Sequence, residues 1–176
     1  KYYKFAAKQG YVQAQCNLGY KYLHGKGVQQ DHALAGTYYK LAAGHGSARG
    51  QCDLGVMYAE GHGLRQDHAV AIKYFNLAAD QGFADAQCNL GKMYAEGHGV
   101  QLDYALAVKY YKLAADDDHA QAQWNLGDLY ENGRGVPQDD TLVIKWYTLA
   151  ADQGYAEAQY MVGFKYRYGR GVQVNR

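Results

Sequence analysis

The sequence predicts an all-α fold, an α/α solenoid in which antiparallel helical hairpins repeat every 36 residues and form a right-handed superhelix. Three observations support this prediction. A glutamine recurs at this spacing without insertion, each time followed by Leu or Val three residues later and then by glycine. A tyrosine and a paired-glycine turn complete each copy, and an apolar block ending in two alanines follows each of the first four turns. The recurring glutamines are Gln15, Gln51, Gln87, Gln123 and Gln159.

The first helix of each hairpin is predicted by apolar residues at helical spacing. Ala14, Leu18 and Tyr22 are four residues apart and form one stripe on a helix, so we expect them in the core. Gly19 lies within this stripe, where glycine costs roughly 1 kcal/mol relative to alanine. We therefore expect the backbone of another helix to approach closely at Gly19. Gly25 is expected to end the helix, because glycine readily adopts the left-handed conformation after a C-cap.

The second helix is expected to begin at an aspartate whose carboxylate accepts first-turn backbone N–H groups. It should end near the double alanine, with Gly46, Gly82 and Gly154 in the turn to the next copy. Residues 116–118 are three aspartates, which replace the usual linker in a position that the helix dipole disfavours. The aspartate caps are Asp31, Asp67, Asp103 and Asp139.

These elements predict a single solenoid over residues 1–176, because one hairpin cannot bury its apolar face alone. We divide it into a partial repeat, four complete repeats and a final partial repeat with a first helix and loop. The predicted boundaries are 1–10, 11–46, 47–82, 83–118, 119–154 and 155–176.

Composition limits the classes of function. With 48% hydrophobic residues the chain can bury a substantial core, and its net charge of +1 provides no general attraction for nucleic acid or anionic lipid. No apolar run is long enough to span a membrane, and no signal peptide is present. Since residue 1 is Lys, an upstream signal sequence is left open and the compartment stays unknown.

Cysteines and histidines do not form a recognisable chemical motif. Cys16, Cys52 and Cys88 share one repeat position, where neighbouring helices should be about 8–10 Å apart, too far for a disulfide. We expect free thiols, in the core or lining a groove, which slightly favour an intracellular location. His62 and His98 lie in glycine turns and should face water. We therefore predict no metal, no cofactor and no catalytic set.

The motif A-x-A-Q-x-x-L-G-x-x-Y-x-x-G-x-G-V, complete at residues 120–136, closely resembles the Sel-one-like repeat family. These repeats are similar to tetratricopeptide repeats with a longer loop between the helices. The resemblance covers practically the whole chain and implies an adaptor or scaffold that binds proteins, often in bacteria. Gly50, Asp118, Met161 and Val162 depart from the motif.

By analogy with tetratricopeptide repeats, the face of each first helix opposite the core stripe should line a concave groove. Its last two copies provide the residue types that dominate binding interfaces. We expect the apolar anchor of a partner peptide near Trp124, Tyr160 and Phe164, with Asn89 and Asn125 holding its backbone. The alternative is that these aromatic side chains pack against neighbouring repeats. The predicted groove residues are Asn89, Lys92, Trp124, Asn125, Asp128, Glu131, Tyr160, Phe164, Arg167 and Tyr168.

Three functions follow from this reading. The first is a non-catalytic scaffold for a protein or peptide partner. The second is a module that associates end to end, because the chain starts inside a second helix, has Asn175 near its end where the next aspartate cap belongs, and shows no polar capping repeat. The third is a targeting or regulatory part of a larger enzyme.

Overall fold

The computed structural model describes residues 2–168, and the turn predicted at Gly169 and Gly171 lies outside them. The described residues form ten α-helices and no β-strand, which confirms the all-α solenoid prediction. The helices are α1 Tyr2–Lys8, α2 Val12–His24, α3 His32–Gly44, α4 Ala48–Glu60, α5 His68–Ala79, α6 Ala84–Glu96, α7 Tyr104–Asp116, α8 Ala120–Asn132, α9 Asp140–Asp152 and α10 Ala156–Tyr168.

The chain divides after Ala86 into two compact units, which we call the N-terminal and C-terminal units. In the N-terminal unit, buried side chains from α2, α3 and α4 form one hydrophobic cluster. Leu18 and Tyr22 belong to it, as predicted, and the Tyr22 ring stacks on Tyr38 with centroids 5.8 Å apart. In the C-terminal unit, Tyr94 and Tyr110 form the same type of stack at 5.6 Å.

The predicted helix ends are confirmed. The Asp31 carboxylate accepts a hydrogen bond from the backbone N–H of Leu34 at 2.8 Å, and Asp67, Asp103 and Asp139 cap their helices in the same way. Gly25 has a φ of 66°, the left-handed conformation that glycine adopts without a Cβ clash.

Asp118 is the only described non-glycine residue with positive φ, at 59°. It occupies the position of the linker glycines, and a short polar side chain tolerates this conformation better than other side chains do.

In α2, α4, α6 and α8 the glycine within the first helix contacts an aromatic ring, so the prediction that another helix backbone approaches at Gly19 was wrong. At Gly55 the backbone oxygen of Ala71 also lies 3.3 Å from the Cβ position. A Cβ placed on Gly19 would lie 2.6 Å from Cε1 of Tyr39, in the second helix of the same hairpin. A close approach to helix backbone is found at Gly50, where a Cβ would lie 2.6 Å from Cβ of Ala42 and 3.0 Å from the backbone nitrogen of Ala43. The other glycine and ring pairs are Gly55 with Phe75, Gly91 with Tyr111, and Gly127 with Tyr147.

The recurring glutamines join consecutive hairpins. Gln123 donates from Nε2 to the carbonyl of Ala115 at 3.1 Å, and its Oε1 accepts from the Gln153 amide at 2.8 Å. Gln15 makes the equivalent contacts with Ala7 and His45. These buried side chains thus satisfy their polar atoms within the fold, as burial requires.

Gln87 departs from this pattern, because its buried Oε1 has no hydrogen-bond partner. The residue thirty positions later, where Gln123 finds Gln153, is Asp117. An ionised carboxylate cannot donate a hydrogen bond, so the substitution in the linker explains the unsatisfied oxygen.

Candidate protein-binding surfaces

The residues predicted to bind a partner lie on three first helices, α6, α8 and α10, within the C-terminal unit. The structure brings the late ones together around two depressions. Trp124 and Tyr160 line one of about 500 Å³, with Ala156, Glu157 and Met161. Tyr160, Phe164, Arg167 and Tyr168 line the other, of about 410 Å³, with Gln159 and Gly163. Asn89 and Lys92, on α6, line neither.

Trp124 is half-buried and held between two rings. Its indole stacks on Tyr147 at a centroid distance of 4.7 Å and contacts Tyr155 at 5.9 Å. It also packs against a small cluster that includes Ala150 and Ala158. The remaining face of Trp124 borders the first depression, so one side chain contributes both to packing and to the surface.

Three aromatic side chains follow one face of α10. Tyr160, Phe164 and Tyr168 are four residues apart, with ring centroids separated by 6.5 and 4.6 Å. Tyr160 is 70% exposed and Tyr168 is 57% exposed. The Arg167 guanidinium lies 5.7 Å from the Tyr168 ring centroid, within the range of a cation–π contact. We call Trp124, Tyr160, Phe164 and Tyr168 the aromatic surface.

Glu131, another predicted groove residue, makes two strong contacts inside the unit. Its Oε2 accepts a hydrogen bond from the Tyr147 hydroxyl at 2.8 Å, and its Oε1 lies 2.7 Å from Nζ of Lys165. Lys165 is only 3% exposed, and sequence reasoning missed it. The signal was available, because Met57, Met93 and Leu129 occupy the same repeat position and are buried. A lysine in a core position requires an acidic partner.

Of the other predicted polar residues, Asn89, Asn125 and Asp128 are half-buried and Lys92 is exposed. The side chains of Asn125 and Tyr111 are hydrogen-bonded to each other. Burial raises the pKa of Asp128, while Arg134 and a hydrogen bond from the Asn132 amide at 2.9 Å oppose this shift.

A pocket that the sequence did not reveal lies in the N-terminal unit, with a volume of about 690 Å³. Its charged wall comes from α4, where Nε of Arg49 is 3.7 Å from Oδ2 of Asp53. The Tyr39 hydroxyl is hydrogen-bonded to the Asp53 carboxylate. The lining residues are Tyr20, Leu23, His24, Gln30, His32, Tyr39, Arg49, Asp53, Val56, Glu60, His62, Phe83 and Asp85.

Of the two turn histidines predicted to face water, His62 lines this pocket and His98 does not. Nδ1 of His62 lies 3.0 Å from a Glu60 carboxylate oxygen, and the rings of His62 and His32 are 5.5 Å apart. Residues 2–168 contain no group of three or more His, Cys, Asp or Glu side chains that could hold a metal ion. Cys16, Cys52 and Cys88 are free and buried. Within the same range, every helix is too short or too polar to cross a membrane.

Comparisons with known proteins agree with this architecture. The Sel1 repeat model matches residues 1–11, 12–47, 48–83, 84–119, 120–155 and 156–176. No curated protein sequence matches the chain.

Solved structures show the same fold. A protective antigen of uropathogenic Escherichia coli that displays an SLR fold is 39% identical over 98% of this chain, with a TM-score of 0.90. A Sel1 repeat protein from Oxalobacter formigenes is 36% identical over 92%, with a TM-score of 0.87. The Helicobacter pylori cysteine rich protein B is 22% identical over 78% of this chain and 98% of its own, with a TM-score of 0.60, and it shows the fold alone.

The chain spans 37% of the Escherichia coli protein and 66% of the Oxalobacter formigenes protein. Sel1 repeat proteins are generally non-catalytic protein-interaction scaffolds. Since the family model matches every repeat and two solved Sel1 relatives exceed 30% identity, this chain belongs to the Sel1 repeat family.

Proposed function

We propose that this chain is a non-catalytic scaffold that binds a segment of a partner protein on the aromatic surface of the C-terminal unit. The observation that carries the proposal is the row of exposed Tyr160, half-buried Phe164 and exposed Tyr168 beside Trp124. Tyrosine, tryptophan and arginine are enriched among the residues that dominate binding energy. Trp124 is also fixed by Tyr147 and Tyr155, so little side-chain entropy would be lost when a ligand packs against it.

The chemistry of the two depressions defines the segment. The first is bordered by Trp124, Tyr160 and Met161 and suits a large apolar side chain. The second has Arg167 at its edge and suits an acidic group one or two turns further along the ligand. In this proposal Asn89 and Asn125 contact the ligand backbone, since an amide both donates and accepts hydrogen bonds.

The test starts with peptides selected by display against the immobilised chain, whose affinities are then measured by fluorescence anisotropy. Trp124→Ala should abolish binding and Tyr160→Ala should weaken it at least about tenfold, with unchanged helicity by circular dichroism. Tyr2→Ala, at an exposed tyrosine of the other unit, is the matched control and should bind normally. The site would be refuted if the selected peptides bound both Trp124→Ala and Tyr160→Ala with full affinity.

A further inference from the structure

The pocket of the N-terminal unit contains a carboxylate that the fold does not fully satisfy. Oδ2 of Asp53 is buried without a hydrogen-bond partner, although the side chain as a whole is 31% exposed to the pocket. Arg49, on the same helix, is its nearest cation, but the 3.7 Å separation is too long for a hydrogen bond. The Tyr39 hydroxyl donates to the carboxylate. The fold therefore satisfies this carboxylate incompletely, and the exposed part of the side chain lines the pocket.

The fold does not require a charge at this position. Asn17, Asn89 and Asn125 occupy the equivalent positions of three other repeats, so an amide is compatible with the packing. Burial raises the pKa of Asp53 to about 6, and the Asp85 charge adds to this shift. A charged group that costs folding energy in a pocket is typical of a functional site.

The remaining lining residues favour a cation. Asp53, Glu60 and Asp85 provide three carboxylates, whereas Arg49 provides one guanidinium and three histidines also line the pocket, of which His62 contacts Glu60. Tyr20, Tyr39 and Phe83 provide aromatic surface around them. Aromatic rings accept cations and also pack against the methylene stems of lysine and arginine. The volume of about 690 Å³ is ample for one such side chain.

We propose that this pocket binds a basic side chain, lysine or arginine, of a partner protein, with Asp53 as its ion-pair acceptor. The site is separate from the aromatic surface and does not depend on it. Its ammonium or guanidinium group would pair with the exposed part of the Asp53 carboxylate, while the aliphatic stem would contact the aromatic side chains. Such charge-assisted hydrogen bonds are about twice as strong as neutral ones.

The test titrates the full chain with N-acetyl-L-arginine methylamide and N-acetyl-L-lysine methylamide, followed through backbone amide NMR shifts at constant ionic strength. At least one cationic probe should give saturable shifts at the lining residues of α2 and α4, with a dissociation constant on the order of 1 mM. The neutral isostere N-acetyl-L-citrulline methylamide should not saturate.

Asp53→Asn should weaken the cationic probe at least about tenfold, because it removes the charge and keeps the shape. Asp80→Asn changes the net charge equally at an exposed residue outside the pocket, and it should bind as the wild type does. The proposal is overturned if neither cationic probe saturates, if the citrulline probe binds equally well, or if Asp53→Asn retains full affinity. None of these results bears on peptide binding to the aromatic surface.

Discussion

The amine of Lys165 is buried in the C-terminal unit and lies 2.7 Å from the Glu131 carboxylate, at a position where three other repeats have Met or Leu. Lys165→Met removes the buried amine and keeps the hydrogen bond from the Tyr147 hydroxyl to Glu131. Removing one member of a fully buried pair typically costs 3–5 kcal/mol. Because Glu131 is partly solvated, we expect a loss of about 1–2 kcal/mol in urea-induced unfolding.

The exposed pair of Lys112 and Asp116 supplies the control for this prediction. Lys112→Met should change stability by less than about 0.5 kcal/mol, because exposed ion pairs contribute little. Combining Lys165→Met with Glu131→Gln should recover part of the loss, since the remaining partner is then neutral. Equal effects at Lys165 and Lys112 would show that burial of the amine is irrelevant.

The contact between Gly127 and Tyr147 predicts the result of a single added methyl group. A Cβ on Gly127 would lie 2.6 Å from the Tyr147 ring, which is buried and tethered by its hydroxyl to Glu131. Since the ring cannot move aside freely, Gly127→Ala should destabilise the chain by about 1–3 kcal/mol. Gly163→Ala meets no atom and should stabilise α10 by up to about 1 kcal/mol. Thermal unfolding by circular dichroism measures both, and the prediction fails if their signs agree.

The unsatisfied oxygen of Gln87 predicts a stabilising substitution in the linker. Asp117→Gln should supply an amide donor to Oε1 of Gln87, as the amide of Gln153 does to Oε1 of Gln123. The substitution should therefore raise the free energy of unfolding by about 1 kcal/mol. The reverse change, Gln153→Asp, should cost about 1–2 kcal/mol because it leaves Oε1 of Gln123 buried and unpaired. Chemical denaturation of both variants against the wild type is the measurement. Destabilisation by Asp117→Gln would show that Gln87 is satisfied in another way.

Asp53 predicts a pH dependence of stability with a defined sign. Burial raises its pKa from 3.8 to about 6, so the folded chain holds this proton more tightly than the unfolded chain does. The free energy of unfolding attributable to Asp53 therefore falls as pH rises between these two values. Asp53→Asn should remove this slope and be more stable at pH 7, by about 1 kcal/mol after allowance for solvent screening. The quantity to measure is the difference in the free energy of unfolding between Asp53→Asn and the wild type as a function of pH. Asp128 contributes a slope of the same sign to both proteins, so its effect cancels.

Local patterns predicted the repeat, the helices and their ends because these depend on spacing and on backbone chemistry near one residue. The cap at Asp31 and the turn at Gly25 are of this kind. The ring that fills the space over Gly19 was not predicted, because twenty residues and a loop separate it from the glycine. The acidic pocket was missed for a similar reason. Asp53 stands out only when two facts are combined. Three other repeats have asparagine at its position, and its side chain is largely buried beside Tyr39.

The glutamine contacts determine which insertions and deletions of sequence the repeat array can accept. Each glutamine with both contacts reaches a carbonyl eight residues earlier and a side chain thirty residues later. Because both offsets fall within one 36-residue period, duplication or deletion of a whole hairpin recreates them at the new junction. An insertion or deletion of any other length would separate the glutamine from its hydrogen-bond partners. The number of repeats can therefore change by whole hairpins. Tandem duplication adds the surface residues of one new hairpin and leaves the existing glutamine contacts intact.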